Sequence, residues 1–158
     1  MTSTGVWTIE LGDDHRGDIG FTYKHLDSKT DVFPAVKDVI ASERFGRICV
    51  DEDIGESSWF TRKILRMNPR VQAMRFAIEW SGDTCSLIFF DDAVSEYRAL
   101  NASESLEIDE EVRTQISHGQ EAPHPLEECL PLKEGLKAVE VYLGAGNRPD
   151  WLEYRYVK

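Results

Sequence analysis

The stretch that most restricts how this chain can fold runs over residues 74–90. Met74, Phe76, Ile78 and Trp80 alternate with Ala73, Arg75, Ala77 and Glu79, the period of an extended strand with one face buried. Ser81, Gly82 and Asp83 then turn the chain, and Cys85, Leu87, Ile88, Phe89 and Phe90 follow as a nearly unbroken apolar run. One covering layer satisfies an alternating strand, whereas a continuous apolar run needs cover on both faces and belongs at the centre of a sheet. With a shorter strand around residues 97–100, this block predicts an antiparallel meander against which helices pack. If Phe76, Ile78 and Trp80 face those helices, each contributes about 1.5–3 kcal/mol on burial, and a one-residue slip would turn all three away.

The flanking segments supply the rest of such a fold. Val6, Trp7, Ile9 and Leu11, then Ile19, Phe21 and Tyr23, alternate as an antiparallel pair, joined by a polar connection holding His15 and Arg16. Val32, Val36, Val39 and Ile40 recur at helical spacing, with Thr30 or Asp31 as cap, Pro34 tolerated in the first turn and an end near Phe45 and Gly46. Arg47, Ile48, Cys49 and Val50 form a short β-prone run ending in Asp51, Glu52 and Asp53. Neighbours on an extended chain point to opposite faces, so these three carboxylates read as a solvated acidic loop in preference to a metal or acid/base site.

A second helix is expected after Ser57 or Ser58, with Phe60, Ile64 and Met67 on one side and Arg62, Lys63 and Arg66 on the other, stopped by Asn68 and Pro69. Near the end of the chain, Leu132, Leu136, Val139 and Leu143 make a helical stripe opposite Lys133, Glu134, Lys137 and Glu140. Pro131 suits its first turn, Gly144 or Gly146 its left-handed cap, and Pro149 prevents continuation. Trp151, Leu152, Tyr154, Tyr156 and Val157 close the chain as a last strand. The fold class predicted is α+β, an antiparallel sheet of about five to seven strands with two or three helices packed mainly on one face. No repeat or low-complexity linker divides the 158 residues, so one domain is expected.

Charge separates the functional classes. Lys and Arg total 18 against 29 Asp and Glu, a net charge of −11, which argues against nucleic acid or an anionic membrane as partner and favours a basic protein. Between residues 91 and 128 there are eleven acidic residues against Arg98 and Arg113. Such a field steers a basic partner and raises its association rate, although a charge run is also the ordinary composition of a solvated loop. The three cysteines, Cys49, Cys85 and Cys129, lack paired spacing and read as buried thiols. No basic start with a following apolar run precedes Val6, and no apolar stretch reaches the ~20 residues of a membrane span, so a reducing cytoplasm is the expected location.

Chemistry-bearing patterns are few. His118, His124 and Cys129 could offer three zinc ligands with water as the fourth. Their spacing is wider than in compact zinc sites, and Pro123 and Pro125 stiffen the intervening loop. No glycine-rich phosphate loop follows a strand, and no serine lies in a nucleophile elbow. No catalytic residue, metal or cofactor is therefore expected. A small-molecule or subunit-interaction domain is the other reading, with Trp7, Trp59, Trp80 and Trp151 around a pocket, although aromatic residues at strand positions more often form core.

Several features of the second half occur in a familiar order. They are Gly119 with Pro123 or Pro125, the helix over residues 132–143 with its small Ala138, the Gly146, Asn147, Arg148, Pro149 stop, and the aromatic strand opened by Trp151. Upstream, the strand, turn and strand over residues 76–90 fit the same series. Together they resemble the immunity proteins of bacterial polymorphic toxin systems, in particular the family often paired with deaminase-type toxins, and leave residues 1–69 unmatched. The resemblance implies an α+β fold without catalytic residues that binds and neutralises one cognate toxin. A toxin acting on nucleic acid is basic, and an acidic surface would cover its cleft by placing carboxylates where phosphates lie. Glu104, Glu107, Asp109, Glu110, Glu111 and Glu121 are the candidate partner-binding residues, with Asp51, Glu52 and Asp53 as a second candidate face.

Overall fold

A computed structural model describes residues 7–12, 21–56, 63–66, 70–91, 95–101, 107–116 and 123–157. Glu104, His118, Glu121 and Trp59, the polar connection with His15 and Arg16, and most of the helix expected after Ser57 lie outside the described residues.

The strands are β1 (Trp7–Gly12), β2 (Phe21–Leu26), β3 (Phe45–Glu56), β4 (Arg70–Ser81), β5 (Thr84–Asp91), β6 (Ser95–Leu100), β7 (Leu130–Pro131) and β8 (Glu153–Tyr156). All neighbours are antiparallel, in the order β2-β1-β3-β4-β5-β6-β8, with the two-residue β7 pairing the start of β5 beside β6. The helices are α1 (Val32–Ser42), α2 (Glu110–Ile116) and α3 (Leu132–Ala145). The fold is thus α+β, as its apolar periodicity indicates.

The register places Phe76, Ile78 and Trp80 of β4 and Cys85, Leu87 and Phe89 of β5 on the face covered by α1 and α3, all essentially excluded from solvent. Val32, Val36 and Ile40 of α1 and Ala138, Val139, Tyr142 and Leu143 of α3 complete that core. Trp80 also donates from Nε1 to the Glu43 carbonyl at 3.0 Å, tying the sheet to the end of α1. The opposite face is more polar: Ser81 donates to Gln115 of α2, and Ser86 meets His124. Two helices therefore share one face, and the short α2 with residues 123–129 covers the other.

Sequence and structure differ at β3. The strand does not stop at Val50 but continues to Glu56, so Asp51, Glu52 and Asp53 are strand residues and not a solvated loop. Pairing explains this: Asp51 and Glu52 lie between β1 and β4, opposite Thr8 and Trp7 on one side and Met74 and Ala73 on the other. A bulge leaves Arg75 as an extra residue of β4, and its Nε donates to Glu52 Oε2 at 2.8 Å. Backbone pairing on two sides outweighs the weak strand preference of acidic residues.

In α3, the buried face consists of Gly135, Ala138, Val139, Tyr142 and Leu143, while Leu132 and Leu136 are only partly covered. Gly146 ends the helix at φ 78°, the left-handed conformation that favours glycine, and its N–H returns to the Tyr142 carbonyl at 2.8 Å. Gly135 lies directly against Cys85 of the central strand, where a Cβ would overlap the Cys85 sulfur. Gly135→Ala is expected to destabilise the protein by about 1–3 kcal/mol, and adding Cys85→Ala should restore much of that loss. At Gly144 an added Cβ would meet nothing within 4 Å, and replacement by alanine should instead stabilise by about 0.4–1 kcal/mol. Urea denaturation of these variants distinguishes tight packing at Gly135 from a general intolerance of alanine in this helix.

Candidate functional site

The acidic segment separates into two parts that behave differently. Its ends are neutralised by arginines, two of which come from outside the segment. Arg148 reaches Asp91 at 3.3 Å, with its guanidinium 3.6 Å from the centre of the Tyr97 ring and 4.8 Å from that of Tyr154. Arg155 of β8 contacts Glu128 at 2.8 Å and Glu127 at 3.1 Å, and Arg98 of β6 bridges Glu128 at 3.3 Å and Glu96 at 3.1 Å. Arg98 and Arg155 are paired on β6 and β8 and project from the same face, which sets both guanidinium groups over Glu128.

Between these ends, Glu107, Asp109, Glu110 and Glu111 are all exposed, and none of them takes part in an ion pair among the described residues. Glu110 and Glu111 form the first turn of α2, where negative charge complements the helix dipole. Arg113, three residues after Glu110, is turned away from them: its guanidinium donates to the His124 carbonyl at 3.2 Å. The structure therefore brings four of the candidate residues into one open acidic patch. The second candidate face is different, because Glu52 is held by Arg75 and Asp53 is 8% exposed.

Sequence reasoning misses the arrangement around Glu128. Ser86 Oγ lies 2.9 Å from His124 Nε2, and Glu128 Oε2 lies 3.2 Å from the same nitrogen. The residue types are those of a serine relay, but the geometry is not. A relay needs the hydroxyl and the carboxylate on opposite ring nitrogens, and here both meet Nε2. Ser86, His124 and Glu128 are 2%, 7% and 3% exposed, which leaves no approach for a substrate. The cluster instead fastens the 3-10 turn Leu126–Glu128 to β5, β6 and β8.

Burial pushes the His124 imidazole below its ordinary value, against the opposing influence of Glu128. Burial likewise pushes the Cys129 thiol up to about 11, and its Sγ donates to the Pro125 carbonyl at 3.4 Å. All three cysteines are buried, and none is in a disulfide. Among the described residues, no group of three His, Cys, Asp or Glu side chains is placed to hold a metal. Trp7 and Trp80 belong to the core, whereas Trp151 is 45% exposed beside a cleft of about 420 Å³. No helix among the described residues is long and apolar enough to cross a membrane. Comparisons with protein-family models, curated proteins and solved structures found no match.

Glu128→Ala is expected to cost about 2–3 kcal/mol, because it strips charged hydrogen bonds from Arg98 and Arg155 and the carboxylate from His124. Glu127→Ala, at an exposed pair, should leave the urea midpoint near that of the unaltered protein. His124 gives a separate pH signature. The fold holds neutral imidazole, so the unfolded chain binds the additional proton once pH falls below its ordinary 6.5. The contribution of His124 is thus complete above that pH and declines as pH falls towards the depressed folded value. Denaturation of the protein and of His124→Gln at pH values either side of 6.5 should show a smaller loss on acidification in the variant; equal losses would remove His124 as the source.

Proposed function

We propose that this chain is a non-catalytic immunity protein, which binds a cognate bacterial toxin and neutralises it by covering the toxin's active site with an acidic surface. The observation that carries this reading is the separation of charge along the segment. Arginines neutralise the carboxylates at its two ends, while Glu107, Asp109, Glu110 and Glu111 stay open to solvent within a protein of net charge −11. Carboxylates that only had to support the fold would be expected to acquire partners, as Glu127 and Glu128 do. An open patch instead creates a field that attracts a basic surface from a distance.

A nucleic-acid-targeting toxin, such as a deaminase or nuclease, suits this patch, since a cleft that binds phosphates also accepts carboxylates. Glu104 and Glu121 belong to the same proposed surface by their place in the sequence. No catalysis, cofactor, nucleic acid or membrane enters the reading. Three buried cysteines outside any disulfide accord with action in the reducing cytoplasm, where a toxin of this kind meets its target.

The proposal expects a neighbouring gene to encode a large protein ending in a basic toxin domain, and co-expression of the two to rescue growth. Replacing Glu107, Asp109, Glu110 and Glu111 together by lysine should abolish rescue, while stability falls by no more than the helix-dipole contribution of Glu110 and Glu111, about 0.3–1 kcal/mol each. Rescue that survives the reversal would remove the acidic patch from the mechanism. Failure of the unaltered chain to protect against that toxin would remove the immunity role.

A further inference from the structure

The cleft beside Trp151 lies between the end of β6, the start of β8 and the first two turns of α3, and nothing in the acidic-patch reading uses it. Leu100, Leu130 and Leu152 give it an apolar floor, Trp151 forms a wall, and the exposed carboxylates of Glu134 and Glu153 stand on its rim with Lys137. Its volume, about 420 Å³, is within the range of ligand-sized pockets. The Lys137 ammonium stands 5.7 Å from the centre of the Trp151 ring, so this indole already presents a face to a cation.

We propose that this cleft receives an arginine side chain of a basic partner protein, as the anchor of the interface that the acidic patch steers. The chemistry of the lining matches the two parts of that side chain. The methylene stem meets the leucine floor, and the planar guanidinium stacks on Trp151, which it does better than the ammonium of Lys137 that it displaces. Glu134 and Glu153 supply two carboxylates against a single lysine, so the rim favours a cation over an anion.

Covalent continuity joins the cleft to the patch. Asn101, which lines the cleft, precedes Glu107 by six residues, so their Cα atoms are at most about 22 Å apart. The cleft borders α3 and the patch lies on α2, helices that cover opposite faces of the sheet, so a partner that meets both wraps the edge formed by β6 and β8. The identity of the partner as a toxin rests on the function proposed above, but the arginine preference of the cleft does not.

The test separates the two. Titration of the protein with N-acetyl-arginine amide, followed by NMR, should shift the Trp151 indole N–H and the amides of α3 and β8 around the cleft. N-acetyl-norleucine amide, which keeps an apolar stem without the cation, should bind about five- to tenfold more weakly. Glu134→Gln with Glu153→Gln should weaken the arginine compound by a similar factor with the amide spectrum otherwise retained, since both residues are exposed, and reversal of the four patch residues should leave this titration unchanged. Equal binding of the two compounds, or shifts not centred on the cleft, would overturn the arginine site whatever the outcome of toxin rescue. If the titration succeeds and toxin rescue fails, the cleft proposal stands and the toxin reading falls.

Discussion

β5 has to be covered on both faces. Cys85, Leu87 and Phe89 point one way and Ser86 and Ile88 the other, and all five are buried. On the first side the cover is α3, brought so close that Gly135 has no room for a Cβ against Cys85. On the second it is the segment from Pro123 to Cys129, whose His124 reaches Ser86 and whose Glu128 collects Arg98 and Arg155. A single layer of helices would leave Ser86 and Ile88 in water, so the polar cluster is as much a part of the core as the apolar one.

That second cover also determines where charge stays open. Anchoring Glu127 and Glu128 on arginines fixes the far end of the acidic segment, and the Asn101 amide bonded to the Glu127 carbonyl at 2.7 Å ties the end of β6 to the same turn. Between these anchors, α2 rests Ile116 inside the protein and leaves its amino end outside. Arg113, the one basic residue in this helix, is committed to the backbone at His124. The acidic patch is therefore carried by a short element held at its buried end, a geometry suited to presenting charge without ordering a mobile loop on binding.

Legibility in the sequence follows the length scale of the interaction. The alternation at residues 74–80 and the apolar run after Gly82 are local patterns that the structure contains. The helix expected over residues 132–143 also forms, capped by Gly146, one of the two glycines expected there, but its buried face includes Gly135, Ala138 and Tyr142 while Leu132 and Leu136 are only partly covered. The extension of β3 through Asp51, Glu52 and Asp53 is not legible, because neighbouring strands impose it on residues with poor strand preference. Burial of Glu128 is equally hidden, since its arginine partners lie 30 and 27 residues away in sequence. The acidic composition is legible as a segment, yet which of its carboxylates remain open depends on those distant pairings. Residue type groups Trp151 with Trp7 and Trp80, while only tertiary structure separates the exposed indole from the two in the core.

The open carboxylates of α2 and of the residues before it are proposed to steer a basic partner. This is tested most directly by the association rate with the proposed basic toxin partner, measured by stopped flow from low to high salt. For the unaltered protein the rate should fall by about tenfold or more as ionic strength rises and the Debye length contracts. With Glu107, Asp109, Glu110 and Glu111 replaced by lysine, the low-salt rate should be lower and that dependence should flatten. An association rate independent of salt, or an identical salt dependence in the reversed variant, would contradict the account.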